Sequence, residues 1–407
     1  KMLYDNALLL RVYLHLWRAT GDAWARRVAD ETADFLIRDL GTPEGGFASA
    51  LDADTDGVEG LTYVWTPDQL RDVLGADDGR WAADLFGVSD AGTFEHGTST
   101  LQLLADPDDA ARYASVRGRL LAARAQRPQP ARDDKVVTAW NGLAIAALAE
   151  CGALFDRPDL VEAARAAARL LAGVHLAGPA DGRLVRTSRD GVPGGNAGVL
   201  EDYADVSEGL LALYAVTGDS SHVTTVGRLL ETVLDRFTDD AGGFYDTADD
   251  AEALFRRPQD PTDNATPSGG FAVAGALLSY AALTGSARHR EAALAALAPA
   301  TLLAERYPRF AGWGLAVAEA VAAGPVEIAV VGPAGDERTR ALHRAALLAT
   351  APGAVVALGD GGRADGVPLL EGRGLVEGAP AAYVCRDFAC RLPVTAPERL
   401  AEELTTV

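Results

Sequence analysis

The most regular feature of this sequence is the spacing of its apolar residues, which recur every three or four positions over most of its length. One such stripe, in the segment 220–237, consists of Val223, Val226, Leu230, Val233 and Phe237. This spacing is typical of an α-helix that buries one face. Four pairs of such helical segments can be recognised, and each pair is joined by a short turn. The turns contain Thr20-Gly21-Asp22, Arg157-Pro158-Asp159, Thr217-Gly218-Asp219 and Thr284-Gly285-Ser286.

These turns carry the usual stop and start signals of helices, and with the apolar stripes they predict about ten long helices. The predicted helices cover residues 6–20, 23–40, 108–126, 138–154, 158–173, 204–217, 220–237, 269–284, 287–305 and 313–323. Helix pairs that repeat at a long period favour an α/α toroid, in which inner and outer helices alternate.

The pattern changes to short apolar runs near residue 324. Strands are predicted over residues 326–331, 354–358 and 381–386, with a helix over 336–349. The sequence therefore predicts a helical barrel over residues 1–324 and a small α/β appendage over 325–407. The fold class is mostly α, an α/α toroid with a small C-terminal α/β segment.

The links between helix pairs are longer than the turns within them. The first link is the longest, and it contains the apolar run 61–65, which predicts a strand, followed by the helix start Thr66-Pro67-Asp68. Because the helices alternate in direction, all the long links lie at one end of the toroid. Long ordered loops in compact domains usually carry function, so we expect the functional site at this end.

Composition excludes several classes of protein. The chain has 407 residues, 48% of them hydrophobic, and a formal net charge of −21 without a basic stripe, so it is a poor binder of nucleic acid or anionic membranes. The uncharged stretch 264–287 is interrupted by Pro and Gly and predicts a buried helix, not a membrane span. Three cysteines, Cys151, Cys385 and Cys390, are too few for a disulfide scaffold and lack redox or zinc spacing. We therefore expect a reducing, cytoplasmic compartment.

Aromatic, carboxylate and amide side chains collect at the predicted starts of the first helices of the pairs. They are Tyr4, Asp5, Asn6, Trp140, Asn141, Glu201, Asp202, Tyr203 and Trp313. Aromatic rings stack on the C–H faces of sugars, while carboxylates and amides bind sugar hydroxyls, so this set predicts a carbohydrate pocket. Asp and Asn at helix starts are also ordinary helix caps, and the two interpretations stay open.

The long links add further candidates, namely Asp52, Asp54, Glu59, Tyr63, Trp65, Lys135 and Asn264. Asp52, Asp54 and Asp202 are the candidate catalytic residues, because paired carboxylates perform general acid/base chemistry without a cofactor. The run 52–57 resembles the start of a calcium loop, but Tyr63 stands where such a loop has Glu. We expect neither a metal ion nor a cofactor. If caps or Arg pairs instead occupy these carboxylates, a non-catalytic barrel is favoured.

Several motifs, in order along almost the whole chain, resemble the spermatogenesis-associated protein 20 family, also called thioredoxin-domain-containing proteins. The motifs are Lys1-Met2-Leu3-Tyr4-Asp5-Asn6, Asp52-Ala53-Asp54, Glu59-Gly60, Tyr63-Val64-Trp65, Asp134-Lys135, Thr138-Ala139-Trp140-Asn141-Gly142, Leu200-Glu201-Asp202-Tyr203, Asp260-Pro261-Thr262-Asp263-Asn264 and Tyr383-Val384-Cys385-Arg386 with Cys390. The resemblance implies an upstream thioredoxin-like domain, which we do not expect within these residues, followed by a six-hairpin glycosidase-like barrel. Such an (α/α)6 toroid has twelve helices, so the resemblance implies that the toroid here lacks its first two helices, which we expect upstream of Lys1. The first and last helices here should then flank an open seam with exposed apolar residues. The resemblance also implies a relation in fold to N-acylglucosamine and cellobiose 2-epimerases.

Two functions are carried forward from these observations. The first is a carbohydrate-active enzyme, either a glycoside hydrolase or a sugar isomerase of epimerase-like fold, with a carboxylate-lined pocket at the long-loop end. The paired histidines of sugar 2-epimerases are not evident, because the six histidines do not cluster in the sequence. The alternative is a non-catalytic barrel that binds a sugar or a protein and works with the upstream thioredoxin-like domain.

Overall fold

The computed structural model describes residues 1–176, 183–252, 255–362, 364 and 366–405, and these are mainly helical. The helices are α1 (Leu3–Thr20), α2 (Ala23–Phe35), α3 (Pro67–Leu74), α4 (Ala76–Phe86), α5 (Ala110–Ala125), α6 (Thr138–Leu154), α7 (Pro158–Leu170), α8 (Leu200–Thr217), α9 (Ser221–Arg236), α10 (Gly269–Thr284), α11 (Ala287–Ala296), α12 (Ala298–Arg306), α13 (Gly312–Ala323), α14 (Glu337–Leu347) and α15 (Pro397–Thr405). Among these residues, no helix is both long and apolar enough to cross a membrane.

The strands are short and form four small sheets. They are β1 (Ala50–Leu51), β2 (Asp54–Thr55), β3 (Val58–Glu59), β4 (Arg132–Asp133), β5 (Val136–Val137), β6 (Thr187–Arg189), β7 (Val192–Pro193), β8 (Glu327–Val331), β9 (Val355–Gly359), β10 (Ala381–Arg386) and β11 (Ala389–Cys390). The chain divides into two compact units. The small unit is Lys1 with Ala50–Asp133, and the large unit is Met2–Ser49 with Asp134–Val407.

The large unit is built from helix pairs. In each of four pairs, namely α1 with α2, α6 with α7, α8 with α9 and α10 with α11, the two helices pack on each other. The first helices also pack side by side in chain order, from α1 through α6, α8 and α10 to α13. Three of them end at Gly21, Gly218 and Gly285, whose positive φ of 72°, 70° and 71° turns the chain sharply. The mostly α fold with alternating inner and outer helices is therefore confirmed.

Most predicted helices lie close to their predicted positions, and two differ for local reasons. α8 begins at Leu200 instead of residue 204, because the Asp202 carboxylate accepts a hydrogen bond from the backbone N–H of Val199 and caps the helix start. The predicted helix 287–305 is two helices, α11 and α12. Pro299, in the first turn of α12, has no backbone N–H and cannot continue α11.

The small unit packs α3, α4 and α5 around the buried side chains of Trp65, Leu70, Phe86, Val116 and Leu120. The predicted strand over residues 61–65 is wrong, because this run forms turns and only Trp65 makes a bridge, to Ser99. The backbone carbonyls that a neighbouring strand would need are occupied differently. The Arg127 guanidinium donates to the carbonyl oxygens of Thr62 and Val64.

The C-terminal part of the large unit contains a four-stranded sheet of order β11-β10-β8-β9, in which β8 is parallel to β9 and antiparallel to β10. α14 and α15 pack on this sheet, and Ile328, Leu342 and Leu400 are fully buried between them. The small C-terminal α/β segment is therefore confirmed. The predicted domain boundary at residue 324 and the expected helices upstream of Lys1 stay predictions. Leu9, Val12 and Leu16 are exposed along α1.

Two glycines set the close approach of α6 and α8. A Cβ atom on Gly209 would lie 2.5 Å from the carbonyl oxygen of Gly142, and one on Gly142 would lie 2.4 Å from the backbone of Asp205. Backbone atoms cannot move aside as a flexible side chain can. The two helices therefore pack at a distance that only glycine permits.

We expect Gly209→Ala to lower the free energy of unfolding by about 2–3 kcal/mol, because the added methyl group forces α6 and α8 apart. The matched control is Gly270→Ala in α10, where nothing lies within 4 Å of the added Cβ. That control should be neutral or raise stability by about 0.5–1 kcal/mol. Urea unfolding of both variants measures the difference. Equal effects would show that the α6–α8 contact is not tight at Gly209.

Candidate functional site

The predicted site residues of the large unit meet at the N-terminal ends of α1, α6 and α8. The rings of Tyr4 in α1 and Trp140 in α6 pack edge to face, with centroids 4.8 Å apart and an interplanar angle of 67°. Both side chains are half-buried. The backbone N–H of Ala139, next to Trp140, donates to Asp202 Oδ1 over 3.0 Å. Three neighbouring helix starts are thus joined by one aromatic contact and one buried carboxylate.

Asp202 is fully buried, and both of its carboxylate oxygens have partners. Besides the bond from Ala139, Oδ2 accepts from the backbone N–H of Val199 over 2.9 Å and from Arg186 Nη1 over 3.1 Å. Burial raises the pKa of Asp202 to about 6, although Arg186 and the two N–H groups act in the opposite direction. The side chain therefore caps the starts of α6 and α8 at once.

Arg186 connects Asp202 to Glu201. Its Nη2 donates to Glu201 Oε1 over 2.6 Å, and Glu201 is half-buried. Arg186 immediately precedes β6, which pairs with β5 ahead of α6, so a small sheet holds the guanidinium beside the two acids. Arg186 is not among the residues that the sequence predicts for the site. The available signal is a basic residue in a long link ahead of two adjacent acidic residues.

A line of acidic residues continues along α8 from Glu201 to Asp205 and Glu208. Asp205 is buried, and its Oδ1 has no hydrogen-bond partner among the described residues. Burial raises the pKa of Asp205 well above its usual value, and the neighbouring acids Glu201, Asp202 and Glu208 raise it further. Asp205 and Glu208 are not among the residues that the sequence predicts for the site. Their signal is their position four and seven residues after Glu201 on a largely apolar helix.

A second charged cluster surrounds Arg11 of α1. Arg11 Nη2 lies 2.7 Å from Glu150 Oε1 and 2.8 Å from Glu208 Oε1, while His15 Nε2 lies 2.8 Å from Glu150 Oε2. Burial alone would raise the pKa of Glu150, but Arg11 and His15 hold it well below its usual value. Arg11, Arg18, Glu150 and Glu208 line a cavity of about 140 Å³. Its other lining residues are Ser279 and apolar side chains, mostly from α6, α8, α10, α14 and β9.

This cavity lies away from the helix starts, toward the C-terminal halves of α1 and α6. The sequence predicts a carboxylate-lined pocket at the long-loop end, beside Tyr4, Trp140 and Glu201. That placement stays a prediction, as do the roles assigned to those residues.

Several candidates of the large unit have structural partners. Asn141 is buried and holds the loop before it, since its Oδ1 accepts from the N–H of Phe47 and its Nδ2 donates to the Phe47 carbonyl. The Tyr203 hydroxyl accepts from the N–H of Leu184, and its ring packs on Phe237. Asn6 Nδ2 donates to the carbonyl of Met2. These contacts favour the cap and core interpretation for the three residues.

Asp263, which lies in the motif Asp260-Pro261-Thr262-Asp263-Asn264, repeats the arrangement of Asp202. Its Oδ1 accepts from the N–H of Ser268, the cap of α10, and its Oδ2 accepts from the N–H of Trp313 in α13. One buried carboxylate therefore joins the starts of two further inner helices. The remaining candidates of the large unit, Asp5, Lys135 and Asn264, are exposed.

The candidates of the small unit surround a short hairpin. Asp54 of β2 pairs with Glu59 of β3, and the turn between the strands has Asp56 and Gly57 at φ 52° and 75°. This Asp-Gly turn is a standard hairpin connection, which explains the run that resembles a calcium loop. Asp52, Asp54 and Glu59 are exposed.

The two aromatic candidates of the small unit contact cations. Trp65 is only 2% exposed, and the Arg127 guanidinium carbon lies 3.8 Å from its ring centroid, so the ring is part of the core. Lys1 Nζ lies 3.8 Å from the ring centroid of Tyr63, which is half-buried. The catalytic roles of Asp52 and Asp54 stay predictions.

Comparison with known proteins identifies relatives by sequence. The chain is 31% identical to human spermatogenesis-associated protein 20, over 99% of this chain and 58% of that protein. It is 30% identical to the mouse protein of the same name, over 99% of this chain and 57% of that protein. The chain thus spans a little more than half the length of these curated relatives. The family resemblance seen in the sequence is confirmed. No family model matches the chain.

Two solved structures are similar to this chain at low sequence identity. One is the cellobiose 2-epimerase from Bacillus thermoamylovorans, with a TM-score of 0.45 and 9% identity over 75% of this chain and 61% of that one. Another is the GH76 α-mannanase BT2949 from Bacteroides thetaiotaomicron, with a TM-score of 0.44 and 12% identity over 85% of this chain and 73% of that one.

The capping role of Asp202 can be tested by Asp202→Asn. Asparagine has one acceptor oxygen where the carboxylate has two, so one helix start loses its cap and Arg186 loses a charged partner. We expect the free energy of unfolding at pH 7 to fall by about 1–3 kcal/mol. Glu201→Gln, which removes only the half-buried partner of Arg186, should cost less than about 1 kcal/mol. An unchanged melting temperature for Asp202→Asn would contradict the capping role.

Asp205→Asn should have the opposite effect, and the effect should depend on pH. The folded pKa of Asp205 lies above its unfolded value, so the folded chain holds a proton that the unfolded chain has released, and stability falls as pH rises above about 4. The variant has no such titration. Its melting temperature relative to the parent chain should therefore increase between pH 4.5 and pH 7.5. If the difference in melting temperature between the variant and the parent chain does not change with pH, Asp205 is not a buried, protonated carboxyl group.

Proposed function

We propose that this chain, a relative of the spermatogenesis-associated protein 20 family along almost its whole length, binds a carbohydrate at the N-terminal ends of α1, α6 and α8. The observation that carries the proposal is the half-buried Tyr4–Trp140 pair beside the Asp202–Arg186–Glu201 chain of charged groups. An aromatic surface next to paired hydrogen-bonding groups suits the C–H faces and hydroxyls of a sugar.

The helix starts favour such a ligand electrostatically. Each inner helix directs free backbone N–H groups and a partial positive charge toward this end of the large unit. Asp202 and Asp263 satisfy some of these N–H groups. The same positive ends offset part of the free energy needed to hold Glu201 and Asp202 close together.

The first candidate function is a carbohydrate-active enzyme, either a hydrolase or an isomerase. The pKa of Asp202, raised to about 6, suits proton transfer near neutral pH, and Glu201 is accessible enough to contact a ligand. Chemistry of this type needs no cofactor.

The second candidate is a non-catalytic barrel that binds a sugar or a protein partner together with a thioredoxin-like domain. A specific observation favours it, because both oxygens of Asp202 and one of Glu201 are already occupied by caps and by Arg186. A carboxylate that must move a proton needs at least one oxygen available to the substrate.

The experiment that separates the two candidates is a panel of mono- and disaccharides screened by thermal shift and calorimetry. Each sugar that binds is then incubated with the chain and followed by proton NMR of its anomeric signals. Binding with conversion supports the enzyme, and binding without conversion supports the non-catalytic barrel. If no sugar in the panel binds, the carbohydrate proposal is wrong in both forms.

For a sugar that binds, we expect Trp140→Ala to weaken the affinity about tenfold, because the stacking surface is lost. The matched control is Trp24→Ala. Trp24 makes the same edge-to-face contact, with Tyr13 at 5.2 Å, between α1 and α2. Trp24→Ala should lower the free energy of unfolding about as much as Trp140→Ala does, but it should leave the affinity for the sugar unchanged. Equal losses of affinity in both variants would place the ligand elsewhere.

A further inference from the structure

The sheet of the C-terminal segment ends in a hairpin that carries a disulfide. Cys385 of β10 and Cys390 of β11 face each other in the antiparallel register and are bonded through their sulfurs. The sequence predicts a reducing compartment, because three cysteines are too few for a disulfide scaffold, and the separation of Cys385 and Cys390 by five residues differs from the common redox motif. The hairpin turn accounts for the separation, since Asp387 and Phe388 at positive φ reverse the chain within four residues.

This disulfide contributes little as a structural crosslink. It closes a loop of only four intervening residues, and the stabilisation from constraining an unfolded chain is smallest for short loops. The hairpin is also already held by backbone hydrogen bonds between β10 and β11. The bond therefore adds little to a turn that the sheet maintains without it.

The two sulfurs differ in accessibility. Cys385 is 1% exposed, whereas Cys390 is an exposed residue in the short outermost strand. Cys390 also lines an open groove together with Arg373, Glu371 and Phe388. An attacking thiolate can reach the disulfide only along the line of the S–S bond from an accessible side, so Cys390 is the sulfur open to attack.

Arg373 brings a positive charge to both sulfurs. Its Nη2 lies 3.0 Å from Cys390 Sγ and 3.6 Å from Cys385 Sγ, and its Nε lies 3.3 Å from Cys390 Sγ. The carbonyl of Glu371 accepts from Nη1 and holds the guanidinium in place. A neutral disulfide is a weak acceptor and gains little from this contact, whereas a thiolate gains a great deal. The guanidinium is thus placed to stabilise the sulfur that leaves when the bond breaks.

We propose that Cys385–Cys390 is a thiol–disulfide exchange site whose substrate is an external dithiol, with Arg373 as its positioning residue. A thiolate of the dithiol attacks Cys390 Sγ, the bond between the two cysteines breaks, and Cys385 leaves as a thiolate near Arg373. The second thiol of the dithiol loses its proton to water and attacks the mixed disulfide, which releases Cys390. The external dithiol is oxidised to a disulfide by two electrons, and the chain gains two thiols.

The test uses the full chain under native conditions, with dithiothreitol as the dithiol and mass-resolved alkylation as the readout. We expect Cys390 to become labelled, because it is exposed, while the buried Cys385 and Cys151 are not. Cys151 is a buried free thiol in α6 and reports on unfolding within the same molecule. If Cys390 is labelled only together with Cys151, or not at all, reduction requires unfolding and the exchange site is disproved.

Arg373→Gln should slow the reduction about tenfold, because the leaving thiolate loses its counter-charge. Arg373→Lys should restore much of the rate. Arg391→Gln is the matched control, since Arg391 is exposed in the same groove and follows Cys390 directly. It should change the rate by less than about threefold. Equal rates of reduction for the parent chain and Arg373→Gln would show that Arg373 takes no part in the exchange.

The choice of Cys390 as the attacked sulfur has its own test. In Cys385→Ser the remaining Cys390 thiol should react with an aromatic disulfide reagent at least about tenfold faster than Cys385 does in Cys390→Ser. Circular dichroism of both variants confirms that the fold is kept. The reverse order of reactivity would overturn the proposed direction of attack.

Discussion

The large unit depends on buried carboxylates that join the starts of neighbouring inner helices. Asp202 accepts from the backbone at the starts of α6 and α8, and Asp263 does the same for α10 and α13. A helix start has N–H groups that its own backbone cannot satisfy, and a carboxylate between two such starts satisfies both. The inner helices are therefore aligned at their N-terminal ends. Asp202 and Asp263 fix the positions of the helix starts that a ligand at that end would contact.

The inner helices also place charged side chains in the interior, where each buried charge needs a partner of opposite sign. Arg186 and Arg11 each bind two carboxylates, at opposite ends of the acidic line on α8. Asp205 lies between them with one oxygen unpartnered among the described residues. Breaking such buried pairs is costly because a charge is left without its partner, so the two arginines are part of the fold as well as of the site. Close packing at Gly142 and Gly209 brings these groups together.

The candidate site could be predicted only in part. Residue types at the helix starts were enough to find Tyr4, Trp140, Glu201 and Asp202, because caps and aromatic residues are recognisable locally. Their partners were not recognisable, since Arg186 is distant in sequence from Ala139 and meets it only through Asp202. The disulfide escaped prediction for the same reason, because spacing alone does not show that β10 and β11 place their cysteines in register.

By itself, the sequence determined the helix pairs, the turns between them and the strands of the C-terminal segment. These depend on apolar spacing and on glycine at positive φ, which act within a few residues of the chain. Tertiary structure decided which polar groups meet. The run 61–65 has the composition of a strand, yet Arg127 occupies its carbonyls and leaves it as turns. Hydrogen bonds between distant residues form only after packing has brought those residues together. They therefore cannot be predicted from a local pattern of residues.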